Sequence, residues 1–363
     1  MATYEVWLTT DTGKRLALLN DILWMQATRV TNSIGRLNLG VKPTFDMTWL
    51  KRDRLVQVWR GVTGGKLGLW RTYFLRGWRF ETQGSVERLT LNGPDVNDLL
   101  RRRVVAFATD TSQGKKSATE ADDLMKDIVD ENMVSCGTAA RNWSNLSVQT
   151  DATAGPQLNK SVAWRRIETV LSDLSKASYV AGTEVFYDIV AVSASADSIS
   201  LEFRTKTGQP GQDLTAKGAL FSQARRNLVR PYYDVDYSDE INYVYGLGQG
   251  EGSDRNTQEV TDQDRIDASI WNRCEAIADA RNESTDNGVR EAARTALAEG
   301  RPRRRAGGKV LDTEAVRFGR DWNWGDKVTF SYREEFDCVI RAVTLSLGGD
   351  GRETIQARLD YEE

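Results

Sequence analysis

Apolar and polar residues alternate along most of the first hundred positions of this chain and again along its last forty. Tyr4 to Leu8 reads as a strand, followed by the turn Asp11-Thr12-Gly13-Lys14 and a returning strand, Arg15 to Leu19. Leu23 to Val30 and Arg36 to Val41 flank a turn at Thr31-Asn32-Ser33-Ile34-Gly35. Leu55 to Arg60 is a short strand, Leu67 to Phe80 a long aromatic one with a bulge or bend expected at Gly77, and Val86 to Leu91 completes the set. Near the other end, Gly325-Asp326 forms a tight turn, after which Val328, Phe330 and Tyr332 alternate with Lys327, Thr329 and Ser331. Phe336 to Leu347 places Val339, Val343, Leu345 and Leu347 on one side, and Gly348-Gly349-Asp350-Gly351 turns it into Thr354 to Leu359. Strands so evenly spaced predict a sandwich or barrel.

The middle of the chain changes period. Asp95 is expected to cap a short helix running toward Val105. Thr119 with Asp122 predicts a helix start of the capping-box kind, with Ala121, Leu124, Met125, Ile128 and Val129 on its apolar face and an end before Cys136-Gly137. A second helix is predicted after Ser161 from the spacing of Val162, Trp164, Ile167, Val170, Leu171 and Leu174. Glu184 to Val192 and Ser198 to Phe203 read as paired strands, and helix, helix, hairpin is the order of a small α+β unit. Tyr232 to Tyr237 and Ile241 to Leu247 return to β. Residues 262–300 read as helical, with Asp264, Ile266, Ile270, Cys274 and Ile277 on one face and a break at Asn287-Gly288.

The fold expected is therefore α+β and mainly β. It divides into an N-terminal β domain (1–105), an inserted α+β domain (106–218), a returning β segment (219–262), a helical connector (263–305) and a C-terminal β unit (306–363).

Composition narrows the function. The 363 residues carry 49 Lys+Arg against 52 Asp+Glu, a net charge of -3. That balance argues against dedicated duplex binding, which draws on a basic surplus. There is no histidine, which removes Ser-His-Asp and Cys-His catalysis and His-ligated zinc. Cys136, Cys274 and Cys338 lie far apart and are odd in number, so reduced thiols rather than a disulfide framework or a metal site are expected. No run of about 18 apolar residues predicts a membrane span. The start, Met1-Ala2-Thr3-Tyr4-Glu5-Val6, lacks signal-peptide character, so a cytosolic product, or one released by lysis, is expected.

Several stretches invite a chemical reading, each beside a plainer one. Arg101-Arg102-Arg103 offers a phosphate site, or a solvated helix end that complements the macrodipole. Gly246-Leu247-Gly248-Gln249-Gly250-Glu251-Gly252 lacks the spacing and the following helix of a nucleotide loop, and reads as a flexible loop or glycine-bent strand. Asp234, Asp236, Asp239 and Glu240 beside Tyr232, Tyr233 and Tyr237 suggest a sugar cleft, or simply the wet face of a strand. Asp262 and Asp264 lack a calcium loop. Arg301-Pro302-Arg303-Arg304-Arg305 reads as a nucleic-acid contact, or as a solvated linker. The eleven tryptophans suit glycan stacking or large β interfaces. No catalytic, metal or cofactor-binding residue is assigned, and no cofactor is expected.

In order along the chain, several segments together resemble the tail-hub (baseplate hub) proteins of long-tailed bacteriophages and related prophages. They are Arg29-Val30-Thr31-Asn32-Ser33-Ile34-Gly35-Arg36-Leu37-Asn38-Leu39, Asp53 to Arg60, Phe74-Leu75-Arg76-Gly77-Trp78 and Leu91 to Val105. Glu240 to Gly250 and Asp321-Trp322 to Gly325-Asp326 continue the series. The resemblance spans nearly the whole chain. It implies tail-tube-like antiparallel β domains with other domains inserted, and a homotrimer whose two tube-like units per chain form a six-unit ring joining the sixfold tube to a threefold tip. It implies a virion protein at the tail tip, assembled in the host cytoplasm. Its implied partners are itself, a distal tail or tail-tube protein, a tape measure protein and a fibre or spike, with DNA only in transit. Relatives that carry a peptidase or lysozyme domain after the hub differ from this chain, which ends at Tyr361-Glu362-Glu363, so no such activity is expected.

Two expectations follow for that ring. Arg301 to Arg305 should not line the pore, or should pair with acids. Trp59, Trp70, Trp322 and Trp324 are candidate interface anchors. The alternatives are a carbohydrate-active β protein, hydrolase or binding module, acting on the bacterial surface, and a cytosolic assembly chaperone absent from the particle.

Overall fold

The computed structural model describes residues 2–62, 65–83, 86–106, 115–311, 313 and 316–360. Its elements open with β1 (Thr3–Thr9), β2 (Arg15–Leu18), β3 (Ile22–Val30), β4 (Arg36–Val41), β5 (Leu55–Gly61), β6 (Gly68–Phe74), β7 (Gly77–Gln83) and β8 (Val86–Pro94). The one-turn helix α1 (Asp98–Arg101) leads to β9 (Lys115–Glu120), α2 (Ala121–Val129), β10 (Leu146–Val148), β11 (Gln157–Ser161), α3 (Ile167–Val180), β12 (Val185–Ala194) and β13 (Ile199–Thr207). Next come β14 (Leu220–Ser222), β15 (Leu228–Asp236), β16 (Tyr243–Leu247), β17 (Thr257–Thr261), α4 (Gln263–Asp267), β18 (Glu275–Asp279) and α5 (Asp286–Glu299). The strands β19 (Arg303–Val310), β20 (Lys327–Ser331), β21 (Glu335–Leu347) and β22 (Glu353–Asp360) close the described chain. The class is α+β and mainly β, as the alternation predicts.

The main layer runs in the order β15-β19-β22-β21-β3-β4-β8-β7, with β20 also paired to β21 and β14 to β20. Every neighbouring pair along those eight strands is antiparallel. A second sheet, β2-β1-β5-β6, covers the N-terminal half, and Val6, Leu8, Val56 and Val58 meet Met25, Leu39, Leu89 and Leu91 between the two. The C-terminal half closes on Phe221, Phe318, Trp322 and Phe330. The inserted helices and the sheet β10-β13-β12 form a third core, which Leu55, Phe74, Val96, Leu99 and Leu100 of the N-terminal part also enter. A fourth, small core lies where α5 covers β17-β16-β18.

Several local expectations are corrected. Leu67 to Phe80 is two strands in different sheets, because the chain crosses layers at Leu75-Arg76. The crossing depends on close backbone approach: a Cβ on Gly93 would sit 1.7 Å from the Phe74 carbonyl oxygen. In β21 a bulge between Ile340 and Ala342 shifts the register. The buried side is Phe336, Cys338 and Ile340 before it and Val343 and Leu345 after it, so Val339 and Val343 lie on opposite faces.

Helix boundaries also move. Asp95 does not cap α1; it accepts from the Asn97 amide (3.2 Å), while its carboxylate is held by Arg71. Thr119 belongs to β9, and Asp122 accepts from the Ala154 amide (2.7 Å) and holds the buried Lys126 (3.0 Å) instead of completing a capping box. The second helix starts at Ile167, since Trp164 has φ 59°, left-handed backbone incompatible with a helix.

Residues 262–300 are not helical throughout. Glu275–Asp279 is a strand parallel to β16, with Ala278 buried and Ile277 facing outward. Asn287-Gly288 lies in the first turn of α5, where Thr285 Oγ1 accepts from the Gly288 amide (3.2 Å). The Arg303–Arg305 stretch is the start of β19, inside the main layer, and not a linker.

Buried ions tie the cores together. Arg71 on β6 donates to Asp95 (2.6 and 2.8 Å), to Asp188 on β12 (2.8 and 3.1 Å) and to the Ile189 carbonyl (3.0 Å). Arg29 on β3 adds a 2.6 Å bond to Asp188 and lies 3.8 Å over the Trp324 ring. Arg60 on β5 forks onto Glu353 of β22 (2.7 and 2.9 Å), which Tyr4 also meets. Arg341 forks onto Glu184 (2.9 and 2.8 Å). Burial opposes ionisation of Asp188, but Arg71 and Arg29 outweigh it and hold its carboxyl below the usual range. At Asp95 burial prevails over Arg71 and leaves the carboxyl above that range.

Candidate functional site

The residues singled out for chemistry do not converge. Asp234 and Asp236 lie on the edge strand β15, in register with Arg305 and Arg303 of β19. Glu240 turns away to Asn272 (3.3 Å) and Arg265 (3.8 Å), and Asp239 is exposed. Asp262 caps α4 through the Arg265 amide (3.2 Å) and pairs with the Arg265 guanidinium (2.7 Å). Arg101 and Arg102 are absorbed by Asp98 and Asp53, and Arg103 lies 4.1 Å over the Trp143 ring. Arg301 stacks on Tyr179 (3.7 Å). A groove of about 750 Å³ runs between the inserted part, the main layer and α4, but most of its ions pair with one another: Arg341 with Glu184, Arg265 with Asp262, Lys327 with Asp337. Among the described residues no cluster is placed to hold a metal ion, no cysteine is in a disulfide, and no helix is long and apolar enough to cross a membrane.

The glycine stretch has a packing role. A Cβ on Gly246 would sit 2.8 Å from the Val289 carbonyl oxygen, and one on Gly248 2.5 Å from a Val289 methyl. These glycines let α5 lie close on β16. Gly246→Ala is therefore expected to destabilise the α5 region by about 1–3 kcal/mol, seen as a lower denaturant midpoint with the β layers intact. An unchanged midpoint would contradict that close docking.

What the fold does build is an open layer with two unlike faces. One face enters the cores. The other carries a row in register across five strands: Thr354, Ser346, Gln26, Asn38 and Asn92. Beside it Thr344 and Thr28 share a 3.0 Å hydroxyl–hydroxyl bond. The middle of this face is thus neutral amides and hydroxyls. Charge on the same face flanks that row, with Arg36 on β4, Arg88 on β8, Arg358 on β22, Arg305 and Lys309 on β19, Arg79 and Glu81 on β7, and Asp234 on β15.

Both outer strands of the layer, β15 and β7, are paired on one side only among the described residues. On β7, Trp78 and Phe80 stand opposite the buried Leu91 and Leu89, on the core side of the layer, yet are 40% and 43% exposed. On β15, Tyr233 stands opposite the buried Ala306 on the same side. Edges of this kind invite a further strand. The tryptophans expected as anchors divide differently: Trp322 is 1% exposed and meets Phe221 edge-on and Phe318 at a tilt, Trp324 lies beneath Arg29, and Trp59 and Trp70 are half-buried. Sequence reading did not single out Trp78 and Phe80 as exposed edge aromatics. Their signal was an aromatic pair two residues apart on either side of Arg79, in a segment read as the end of a longer strand.

Three comparisons bear on this architecture. The family model described as Siphovirus ReqiPepy6 Gp37-like protein matches residues 3–359. Among solved structures, the 43 kDa tail protein of prophage MuSo2 from Shewanella oneidensis aligns with 12% identity and a TM-score of 0.60 over 98% of both chains. The tail protein from Neisseria meningitidis MC58 aligns with 12% identity and a TM-score of 0.59, over 99% of this chain and 97% of that one. Prophage tail protein gp18 from Listeria monocytogenes EGD-e aligns with 11% identity and a TM-score of 0.54, over 99% and 94%. At these identities the likeness is one of fold. No curated protein matches the sequence.

Proposed function

Since the chain belongs to the Siphovirus ReqiPepy6 Gp37-like family and is a phage tail-type structural protein, we propose that it is the homotrimeric hub of the tail tip, joining a sixfold tube to a threefold tip around a DNA channel. The observation that carries this reading is the eight-stranded antiparallel layer with two open edges. It divides into two four-stranded halves, β15-β19-β22-β21 and β3-β4-β8-β7, joined where β21 pairs with β3. An even number of alternating strands leaves β15 and β7 running in opposite directions. Rotated copies then meet edge to edge as one more antiparallel pair, and a closed ring satisfies every edge without growing into a fibre. Three copies present six halves.

The second layers give each protomer more bulk behind the cores, which suits the wider outside of a ring. The face that carries the neutral row then lines the channel. Along the row itself amides and hydroxyls offer DNA phosphates no fixed positive charge, which limits the salt-dependent affinity that each Lys or Arg contact adds; Arg36, Arg88, Lys309 and Arg358 flank it on the same face. Arg305 belongs to that face but stands in register between Asp234 and Asp360. The division into tube-like β domains, an inserted α+β domain and a connector is part of the same proposal. So are a distal tail or tail-tube protein, a tape measure protein and a fibre or spike as partners. Imaging of intact tails tests it: three copies per tip are expected, and two or six copies, or none, would refute the hub.

Absence of catalysis belongs to this reading, because the acids considered for sugar chemistry face different surroundings. Zymography on cell-wall and capsule substrates and a peptidase assay are expected to show no turnover. A turnover abolished by Asp234→Asn, Asp236→Asn or Glu240→Gln would favour the glycan-hydrolase alternative.

A further inference from the structure

The small sheet β17-β16-β18 lies apart from the layer used for the ring. α5 covers one of its faces through Val244, Ala278, Ala293 and Leu297. The other face carries Tyr245 beside Ile277 in register, and β18 is paired on one side only among the described residues. Just before β18, Ile270 and Trp271 are 90% and 85% exposed, and Ile277 within it is 67% exposed. These are the three most exposed large apolar side chains described, within eight residues of one strand edge. β18 has no proline, lysine or bulge to blunt its edge; its end charges Glu275 and Asp279 are tied to Arg273 and Arg281 at 2.6 Å each.

Charge decides what kind of strand fits. Residues 251–283 hold nine acids against four arginines, a net of -5 where the whole chain is -3. The rest of the molecule is thus slightly basic and this corner distinctly acidic. A second copy of the same corner would bring like charges together, and nucleic acid would be repelled. We propose that the free edge of β18 is a docking site for an extended, Lys/Arg-bearing segment of a different tail protein. The segment adds a strand to β18 and sets its apolar side chains on Ile277 and Trp271, the β-addition mode of peptide recognition. The site rests on the chain's being a tail protein and is independent of the threefold ring.

The test compares the free chain with assembled tails. Hydrogen exchange at the 275–279 amides is expected to slow by about tenfold or more in tails. Carbodiimide, which joins carboxylates to touching amines without a spacer, is expected to link Glu275 or Asp279 to a lysine of another tail protein. Ile277→Lys, at an exposed position, is expected to leave the free chain's melting unchanged and to abolish both the slowing and the link. Equal exchange in the two states overturns the proposal. So does a link confined to lysines of this chain, or slowing that appears in the free chain as its concentration rises, which would mark self-association. Failure of the ring itself would appear separately, as a wrong copy number.

Discussion

Arg71→Met is expected to destabilise the chain by about 3–5 kcal/mol, the cost of removing one partner from a buried ion cluster. Arg71 is buried and holds Asp95 and Asp188 with four short bonds, so its loss leaves Asp95 in the interior without its guanidinium partner and Asp188 with Arg29 alone. Those acids belong to the turn after β8 and to β12, so the same change loosens the inserted part from the main layer. Acid dependence separates this account from a simple packing loss. Asp188 is held below its ordinary range, so its contribution is present above the unfolded carboxylate pKa of about 3.9 and is lost as pH falls through its lower folded value. Asp95 is raised, so its contribution is present below its ordinary pKa and lost as pH rises through its folded value. The two oppose each other in the native chain. In Arg71→Met Asp95 loses its cation and is expected to favour protonation, while Asp188 keeps Arg29, so the gap to the native chain should narrow as pH falls from 7 toward about 5. Urea midpoints at several pH values measure it. A loss below about 1 kcal/mol, or a gap that widens on acidification, would contradict the clamp. Adding Asp95→Asn is expected to recover part of the stability, whereas Asp188 is still needed to hold the buried Arg29.

Trp78→Ser with Phe80→Ser is expected to abolish the trimer while leaving the protomer folded. Both rings are two-fifths exposed in the single chain, so the fold has little to lose. In the proposed ring they become buried against β15 of the next copy, where aromatic anchors each contribute about 2 kcal/mol or more. Two such losses weaken each of the three contacts by about a thousandfold. Arg79 and Asp234 lie on the opposite, polar side; exposed pairs contribute about 0–1 kcal/mol, so exchanging their signs should change register preference more than strength. Native mass spectrometry of the chain and particle counts from a phage carrying the double change read the outcome. Tips that still hold three copies would move the interface elsewhere.

The strands were legible because their cause is local. Val328 and Phe330, or Met25 and Ala27, reach one core because alternate side chains share a face. The same rule failed at Ile340, where a bulge reverses the faces, and at Leu75, where one apolar run serves two sheets. Ile270, Cys274 and Ile277 fall at near-helical spacing without forming a helix, because Glu275–Asp279 finds hydrogen bonds on β16, encoded some thirty residues away. The candidate site was least legible. Nothing in the alternation distinguishes Trp78, at the edge of a sheet, from Trp322, in the middle of a core.

The sequence by itself determined that this is a mainly β chain with a helical insertion, that imidazole chemistry is absent, and that no apolar run spans a membrane. Those properties follow from composition and from spacings of a few residues. Only the tertiary structure decided which strand lies at an edge, which acids Arg71 brings together from the turn after β8 and from β12, and that Thr354, Ser346, Gln26, Asn38 and Asn92 form one neutral row. Each depends on pairing between segments far apart in the chain. Strand register sets those pairings, and register is fixed by how the whole layer buries its apolar face.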